Sequence, residues 1–313
     1  MDKVNKVIIT GCTGAIGIAL INQCIMDDIE VFAFCRKNST RNINIPKHNK
    51  INIIECNLDE LDALDELSIP KADVFFHLGW GATMGEGRND ARLQLKNVQY
   101  TIDALYLAKK AGCEVFVGTG SQAEYGRYEG SLNENVPTNP ENGYGIAKLC
   151  AGQLSRMEAT KLGIKHIWAR VLSVYGPYDN SNTMISSTID KLLRGERPQL
   201  TKGEQQWDYM YSEDTAKALL ALAKSGVHGR TYCLGSGNAR PLLEYINILK
   251  DNINPDAELG IGDIPYGEKQ VMYLCADISA LREDTGFVPQ TTFEEGIKNT
   301  INWMREGKYH EDN

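Results

Sequence analysis

A glycine-rich turn directly after a short apolar run constrains the fold of this chain more than any other feature. The run from Val7 to Thr10 reads as a buried strand, and glycine follows at positions 11, 14 and 17. The segment from Ala15 to Met26 can form a helix, whose free N–H groups and positive dipole end favour a phosphate group. The turn therefore predicts a dinucleotide site, although a strand–turn–helix unit with glycines needed only for packing has the same pattern.

Composition limits the classes of protein to which the chain can belong. Its 313 residues, 42% of them hydrophobic, suffice for one large domain or two interleaved ones. A formal net charge of −8 argues against nucleic acid as a partner. There is no apolar run of transmembrane length and no cleavable signal, so we expect no membrane partner. The eight cysteines occur singly, without a C-x-x-C pair, which argues against a metal site and favours a reducing cytoplasm.

Strand-like and helix-like segments alternate through the first half of the chain. After the first strand, the pattern predicts strands at 30–35, 51–55, 73–77, 114–118 and 165–171, with helices at 89–111 and 144–162. This alternation predicts an α/β fold with a Rossmann-type doubly wound parallel sheet. Helical patterns continue at 184–194, 212–224, 242–250 and 293–305, between prolines. We expect an NAD(P)-binding domain at 1–173, to which segments near 206–237 return, and a smaller, mostly helical substrate lobe at 174–313.

Residues with acid–base chemistry follow the fifth predicted strand. A polar loop at 119–126 contains Ser121, and Tyr144 and Lys148 lie four residues apart on one face of the next helix. A cation beside a phenol lowers the tyrosine pKa from about 10, so such a tyrosine can exchange a proton near neutral pH. The spacing also arises by chance with a solvated lysine. Its position after the fifth strand of a chain that opens with the glycine turn favours the functional interpretation.

Jointly, these motifs resemble the extended short-chain dehydrogenase/reductases, of the NAD(P)-dependent epimerase/dehydratase type that acts on nucleotide sugars. The resemblance runs over nearly the whole chain. It rests on the residues at 10–17, 77–79, Asn97, Ser121 with 125–126, Tyr144 with Lys148, 170–177, 207–214, 276–278 and 286–289.

The resemblance implies roles for individual residues. Tyr144 corresponds to the catalytic acid/base, Lys148 to the lysine that holds the nicotinamide ribose, and Ser121 to the hydroxyl that bonds the reacting oxygen. The implied cofactor-binding residues are Gly11, Thr13, Gly14, Ala15, Ile16, Gly17, Arg36, Lys37, Asn57, Leu58, Leu78, Gly79, Tyr144, Lys148 and Val171. The implied substrate-binding residues are Ser121, Gln122, Ser173 and Trp207.

The residues after the second strand bear on the choice of cofactor. NAD enzymes carry Asp or Glu there for the ribose hydroxyls, whereas this chain has Arg36, Lys37, Asn38 and Ser39. A guanidinium group suits a 2′-phosphate because of its planar fork, although a solvated basic turn has the same composition. We therefore expect NADP(H), with NAD(H) as the alternative.

Departures from the family pattern narrow the expected reaction. The dehydratases of the family place Asp and Glu directly after the catalytic hydroxyl residue, where this chain has Gln122 and Ala123. We expect NADPH-dependent reduction of a 4-keto-6-deoxy sugar nucleotide. A nucleotide-sugar 4-epimerase with retained NAD, and a non-catalytic NAD(P)-binding sensor, are the alternatives. By analogy with the family, we expect a homodimer formed through the helix at 89–111 and the helix that begins at Tyr144.

Overall fold

Strands and helices alternate along the protein, whose computed structural model describes residues 3–64 and 68–308. The strands in these residues are β1 Lys6–Thr10, β2 Glu30–Cys35, β3 Ile51–Glu55, β4 Val74–His77, β5 Val115–Ser121, β6 Lys165–Val171, β7 Ser173–Tyr175, β8 Gln199–Leu200, β9 Gln206–Trp207, β10 Tyr209–Tyr211, β11 Thr231–Leu234, β12 Arg240–Pro241, β13 Gly260–Ile261 and β14 Tyr273–Leu274. The α-helices are α1 Ala15–Met26, α2 Ala91–Lys110, α3 Gly143–Leu162, α4 Met184–Leu193, α5 Ser212–Ser225, α6 Leu242–Ile253, α7 Ser279–Thr285 and α8 Phe293–Trp303.

A seven-stranded sheet forms the centre of the protein, in the spatial order β11-β6-β5-β4-β1-β2-β3. Every neighbouring pair in it is parallel. Strands β2 and β3 lie on one side of β1, and β4 lies on its other side. The strand order therefore reverses between β1 and β4. Thr10 and His77 end these two strands side by side. Open parallel sheets bind their ligands in the crevice at such a point.

Helices cover both faces of the sheet. Leu20 of α1 and Leu219 of α5 share one apolar cluster with strand residues on the first face. Leu105 of α2 and Ala159 of α3 belong to the cluster on the opposite face. Because both faces are buried, β1 and β4 are nearly continuous apolar runs rather than alternating ones. The structure confirms the predicted α/β fold with a doubly wound parallel sheet.

The later helices α4, α6 and α8 enclose a separate apolar cluster. Phe293 lies at its centre, with the ring centroids of Tyr245, Tyr175 and Tyr209 at 4.5, 4.9 and 6.0 Å. The chain passes directly from the central sheet into this cluster, because β7 begins two residues after β6 and pairs with β10. The assignment of these parts to a cofactor domain and a substrate lobe stays a prediction.

The structure corrects the predicted elements at two places. Strand β5 continues through Ser121, which pairs with Val171, so residues 119–121 belong to the sheet rather than to a loop. Glycines inside this strand make room for the Trp168 ring, which a Cβ at Gly118 would approach to 2.5 Å. A helix at Ser279–Thr285, too short to show a clear periodic pattern, was not predicted.

Candidate active site

The glycines of the turn after β1 meet different spatial requirements. Gly11 has a φ of +70°, and a Cβ there would lie 2.6 Å from the Gly79 nitrogen. A Cβ at Gly17 would lie 2.4 Å from the Gly11 carbonyl oxygen, so the packing of α1 against the turn requires glycine. A Cβ at Gly14 would meet no atom within 4 Å. The fold thus explains glycine at 11 and 17, whereas Gly14 leaves open space at the start of α1 that suits a bound phosphate group.

A cleft of about 480 Å³ opens beside this turn. The start of α1 has no side-chain cap and no acidic residue in its first turn, so its N–H groups are available to an anion. The cleft is lined by Gly11, Cys12, Thr13, Phe34, Cys35, Arg36, Ser39, Arg41, Cys56, Asn57, Leu58, Asp59, Gly79, Trp80, Gly81 and Tyr100. Its size, its position at the sheet edge and its mixture of apolar and cationic residues fit a dinucleotide.

Most of the cofactor residues inferred from the sequence border this cleft or the turn beside it. Ala15 and Ile16 open α1, and Leu78 and Val171 pack against the apolar cluster below it. Lys37 is different, because its ammonium group pairs with Glu60 at 2.6 Å and it does not line the cleft.

Several residues of this region were missed as cofactor residues from the sequence. Arg41, Asp59 and Tyr100 lie in the wall of the cleft, although no periodic pattern or motif distinguishes them. Ser39, noted in the turn after the second strand, lies in the same wall. Arg41 also donates a hydrogen bond from Nη2 to the Tyr178 carbonyl oxygen at 3.1 Å. The cationic end of the cleft is therefore formed by Arg36 and Arg41 rather than by Arg36 and Lys37.

Ser121, Tyr144 and Lys148 come together at the carboxyl end of β5. Ser121 ends the strand, and Tyr144 at the start of α3 lies close enough for the Ser121 side chain to lower its pKa in part. The Lys148 ammonium lies 5.9 Å from the centroid of the Tyr144 ring. A Cβ at Gly145 would lie 2.2 Å from the Ala123 carbonyl oxygen, so this glycine lets α3 approach the turn that follows Ser121. The side chain of Asn142 caps α3 by accepting from the Gly145 nitrogen at 2.8 Å.

Lys148 is a buried cation, with 3% of its surface exposed. Its ammonium group donates to the Thr119 carbonyl oxygen at 2.7 Å and lies 3.8 Å from the centroid of the Trp80 ring. Desolvation lowers the pKa of Lys148 to about 7, although the charge of Glu124 raises it in part. The sequence motif predicted this lysine, but not the indole ring against which it packs.

Burial also governs the ionisation of Tyr144. Desolvation raises the pKa of Tyr144, while the Ser121 side chain and the charge of Arg88 lower it in part. The net direction is opposite to the one expected from the spacing of Tyr144 and Lys148, because the ring is enclosed by protein. At neutral pH the phenol therefore carries its proton.

A buried carboxylate fixes the turn after Ser121. Glu124 is fully buried, and its Oε1 accepts from the Ser121 backbone nitrogen at 2.8 Å and from Trp168 Nε1 at 3.0 Å. Its Oε2 accepts from Arg170 Nε at 2.6 Å. Ser121 and Glu124 form a capping box, and the Ser-x-x-Glu spacing was the sequence signal that could have identified this contact.

The other inferred substrate residues are Gln122, Ser173 and Trp207. Gln122 is half-buried and opens the short 3₁₀ turn that contains Glu124. Trp207 donates from Nε1 to Ser173 Oγ at 2.8 Å, so these two residues contact each other. Trp207 also lines a second cleft of about 360 Å³, together with Lys191 and residues of α4 and α6.

Comparison with known proteins assigns this arrangement to a family. A sequence model of the NAD dependent epimerase/dehydratase family matches residues 7–235. The chain belongs to this family. The resemblance inferred from the motifs is thereby confirmed, and the protein is an enzyme of the extended short-chain dehydrogenase/reductase type.

Individual members of the family are distant relatives. A Bacillus subtilis protein named as an uncharacterized UDP-glucose epimerase is 25% identical, over 96% of this chain and 98% of its own. A dTDP-glucose 4,6-dehydratase of Escherichia coli is 30% identical over 56% of this chain and 52% of its own. The solved UDP-N-acetylglucosamine 4-epimerase from Methanobrevibacter ruminantium M1, in complex with UDP-N-acetylmuramic acid, has a TM-score of 0.88 at 24% identity, covering 98% of this chain and 100% of its own. At this identity the structural likeness shows the fold.

Two further features concern metals and membranes. Across residues 3–64 and 68–308, the acidic, cysteine and histidine side chains form no group of three that could hold a metal ion. Within the same ranges, none of the helices has the length and apolar character needed to span a bilayer.

Proposed function

We propose that this enzyme reduces the carbonyl group of a 4-keto-6-deoxy sugar carried on a nucleoside diphosphate, with NADPH as the reductant. The observation that carries the proposal is the convergence of Ser121, Tyr144 and Lys148 beside a cleft that fits a dinucleotide. The choice of carbon 4 and of a 6-deoxy sugar rests on analogy within the family.

The three residues have separate tasks in this proposal. NADPH supplies a hydride when it is bound. Tyr144 donates its phenolic proton to the oxygen of the carbonyl that is reduced, and the Ser121 hydroxyl holds the same oxygen by a hydrogen bond. Lys148 holds the cofactor ribose next to Tyr144. Because burial raises the pKa of Tyr144, this residue begins the reaction protonated, as a proton donor must.

The turn after Ser121 supports reduction rather than dehydration. Elimination of water needs an additional acid and base, and neither Gln122 nor Ala123 can ionise. The next residue, Glu124, has both carboxylate oxygens engaged by Trp168, Arg170 and the Ser121 backbone. A reductase needs no such pair, since its substrate already contains the carbonyl group.

The cations of the cleft support NADP(H). Arg36 is exposed at the end of β2 and Arg41 lies in the wall, so two guanidinium groups can approach a 2′-phosphate. No carboxylate stands directly after β2, where one would bind the ribose hydroxyls of NAD(H).

The proposal is tested by turnover. Purified enzyme is mixed with NADPH and a panel of 4-keto-6-deoxy sugar nucleotides, and the absorbance of the reduced cofactor is followed. We expect oxidation of NADPH with at least one of them, and a loss of about 10²- to 10⁴-fold in the Tyr144→Phe variant. Activity of that variant within threefold of wild type would show that another group supplies the proton.

A 4-epimerase with retained NAD is the second candidate. Asp59 also lines the cleft, so a carboxylate is available near the adenosine end, and several relatives are named as epimerases. Mass spectrometry of the cofactor released from freshly purified protein separates the two candidates. Retained NAD, together with interconversion of UDP-glucose and UDP-galactose and no oxidation of NADPH, would replace the reductase.

We also propose that the enzyme is a homodimer in a reducing cytoplasm. Exposed apolar side chains lie along one face of α2, at Leu95 and Tyr106, and along one face of α3, at Ile146, Leu154 and Met157. The spacing of eight and eleven residues keeps them aligned on each helix, and a second copy is the occupant proposed for this face. The free state of all eight cysteines fits the compartment.

A further inference from the structure

Tyr144 has a second cation beside it that the family motif does not include. The Cζ atom of Arg88 lies 4.3 Å from the centroid of the Tyr144 ring, closer than the ammonium nitrogen of Lys148 at 5.9 Å. The Trp80 ring meets Tyr144 edge-on, with 6.0 Å between the centroids. The phenol therefore lies among two cationic groups and one indole.

The segment that carries Arg88 is held firmly in place by α2. Asn97 accepts from the Gly81 nitrogen at 2.8 Å and donates to the Gly81 oxygen at 2.9 Å. Gln94 donates to the carbonyl oxygens of Ala82 and Gly87 at 3.1 and 3.0 Å. These four hydrogen bonds fix both ends of the segment between β4 and α2.

The Arg88 side chain and its backbone are fixed as well. Its Nη1 donates to the Thr83 carbonyl oxygen at 2.5 Å, within the same segment. The neighbouring Asn89 side chain accepts from the Gly143 nitrogen at 3.0 Å, at the first residue of α3. The guanidinium group is therefore held over Tyr144 by contacts within the protein, and stabilising a charge there requires little reorganisation.

We propose that Arg88 is a positioning residue that stabilises the tyrosinate form of Tyr144 after proton transfer. The proposal rests on the proposed function, in which Tyr144 gives up its proton to the substrate oxygen. The proton moves from the phenol to the new alkoxide, and the negative charge left on Tyr144 is attracted to the guanidinium group. A cation at this distance shifts a pKa by about one unit.

Other titratable groups that face Tyr144 come from two further elements. Lys148 on α3 lies 5.9 Å from the ring centroid, but its pKa is lowered to about 7, so it is neutral at the pH where Tyr144 ionises. Glu124 in the turn after β5 adds negative charge that raises the pKa of Tyr144. Glu124 is paired with Arg170 and also accepts a hydrogen bond from the Ser121 backbone nitrogen. Arg88 is thus the positively charged residue of the segment before α2 that faces the Tyr144 phenol.

The test measures the ionisation of Tyr144 directly and needs no substrate. Protein containing tyrosine labelled with carbon-13 at Cζ is titrated by NMR, and the Tyr144 signal is assigned by its loss in Tyr144→Phe. At about pH 10.5, the tyrosinate-to-tyrosine ratio of Tyr144 should fall about tenfold in Arg88→Gln and stay within threefold of wild type in Arg88→Lys. Arg92→Gln, at an exposed arginine four residues further on, is the matched control and should leave the ratio unchanged.

Each result decides the proposal. Equal ratios in wild type and Arg88→Gln would overturn it, as would an equal fall in Arg92→Gln or no detectable tyrosinate in the wild type. With an active substrate in hand, the basic limb of the pH–rate profile for reduction should move up by about one unit in Arg88→Gln. Absence of turnover on every substrate would count against the proposed function and would leave the titration as a separate result.

Discussion

Replacement of Lys148 by methionine should change how the stability of the enzyme depends on pH. The ordinary pKa of lysine is about 10.4, and burial lowers the pKa of Lys148 to about 7. Between these two values the unfolded chain binds more protons than the folded protein. Relative to Lys148→Met, the free energy of unfolding of the wild type should therefore rise as the pH increases from 7 toward 10.

The magnitude follows from the two pKa values. The buried ammonium destabilises the folded state by about 4 kcal/mol at pH 7 and by about 1.5 kcal/mol at pH 9.5. The contacts with the Thr119 carbonyl oxygen and the Trp80 ring favour the charged form and offset part of this difference. Relative to Lys148→Met, we expect the wild type to gain about 2 kcal/mol of stability between these pH values.

Urea unfolding of the cofactor-free proteins at both pH values, followed by circular dichroism, measures this difference. Lys110→Met is the matched control, because Lys110 is exposed at the end of α2. Its difference from wild type should be the same at both pH values. If the difference between Lys148→Met and wild type changes by less than about 0.5 kcal/mol, the reasoning from burial is refuted.

Three further sets of substitutions test the turn, the buried ion pair and the proposed dimer. Gly14→Ala should leave the free energy of unfolding within about 0.5 kcal/mol of wild type but weaken NADPH binding in calorimetry, whereas Gly17→Ala should destabilise the fold by about 2 kcal/mol or more. A larger loss of stability in Gly14→Ala than in Gly17→Ala would contradict the open space at Gly14. Glu124→Gln removes one charge of a buried ion pair and should lower the free energy of unfolding, measured in urea, by about 3–5 kcal/mol. A change below about 1 kcal/mol would show that Arg170 finds another partner. Leu154→Arg places a charge on the exposed apolar face of α3 and should produce monomers in sedimentation; an unchanged dimer would place the interface elsewhere.

Local sequence patterns were sufficient for the fold because each one reports a physical requirement of its own segment. The apolar run of β1 is continuous because the strand is buried on both faces, and Gly11 and Gly17 are needed by close backbone contacts. The approach of Tyr144 and Lys148 was also predictable, because four residues separate them within one helix.

The remaining parts of the site depend on contacts between segments far apart in the chain. Trp80 and Arg88 lie between β4 and α2, Arg88 in a short 3₁₀ turn, and neither belongs to a periodic pattern. Arg41 reaches the cleft from a short 3₁₀ turn after β2. Such placements are decided by tertiary packing, so a single sequence contains no local signal for them.

The direction of the proposed reaction is linked to the charges around Tyr144. Burial raises the pKa of Tyr144, so the phenol is protonated at neutral pH and ready to donate. An oxidation would begin from the tyrosinate, which the same burial disfavours. Reduction ends with a buried negative charge on Tyr144, and the nearby cations must then stabilise it until a proton returns. Arg88 over the ring supplies that positive charge, and Lys148, whose pKa is lowered to about 7, adds to it in its protonated form. This arrangement suits an enzyme that starts each cycle as a proton donor.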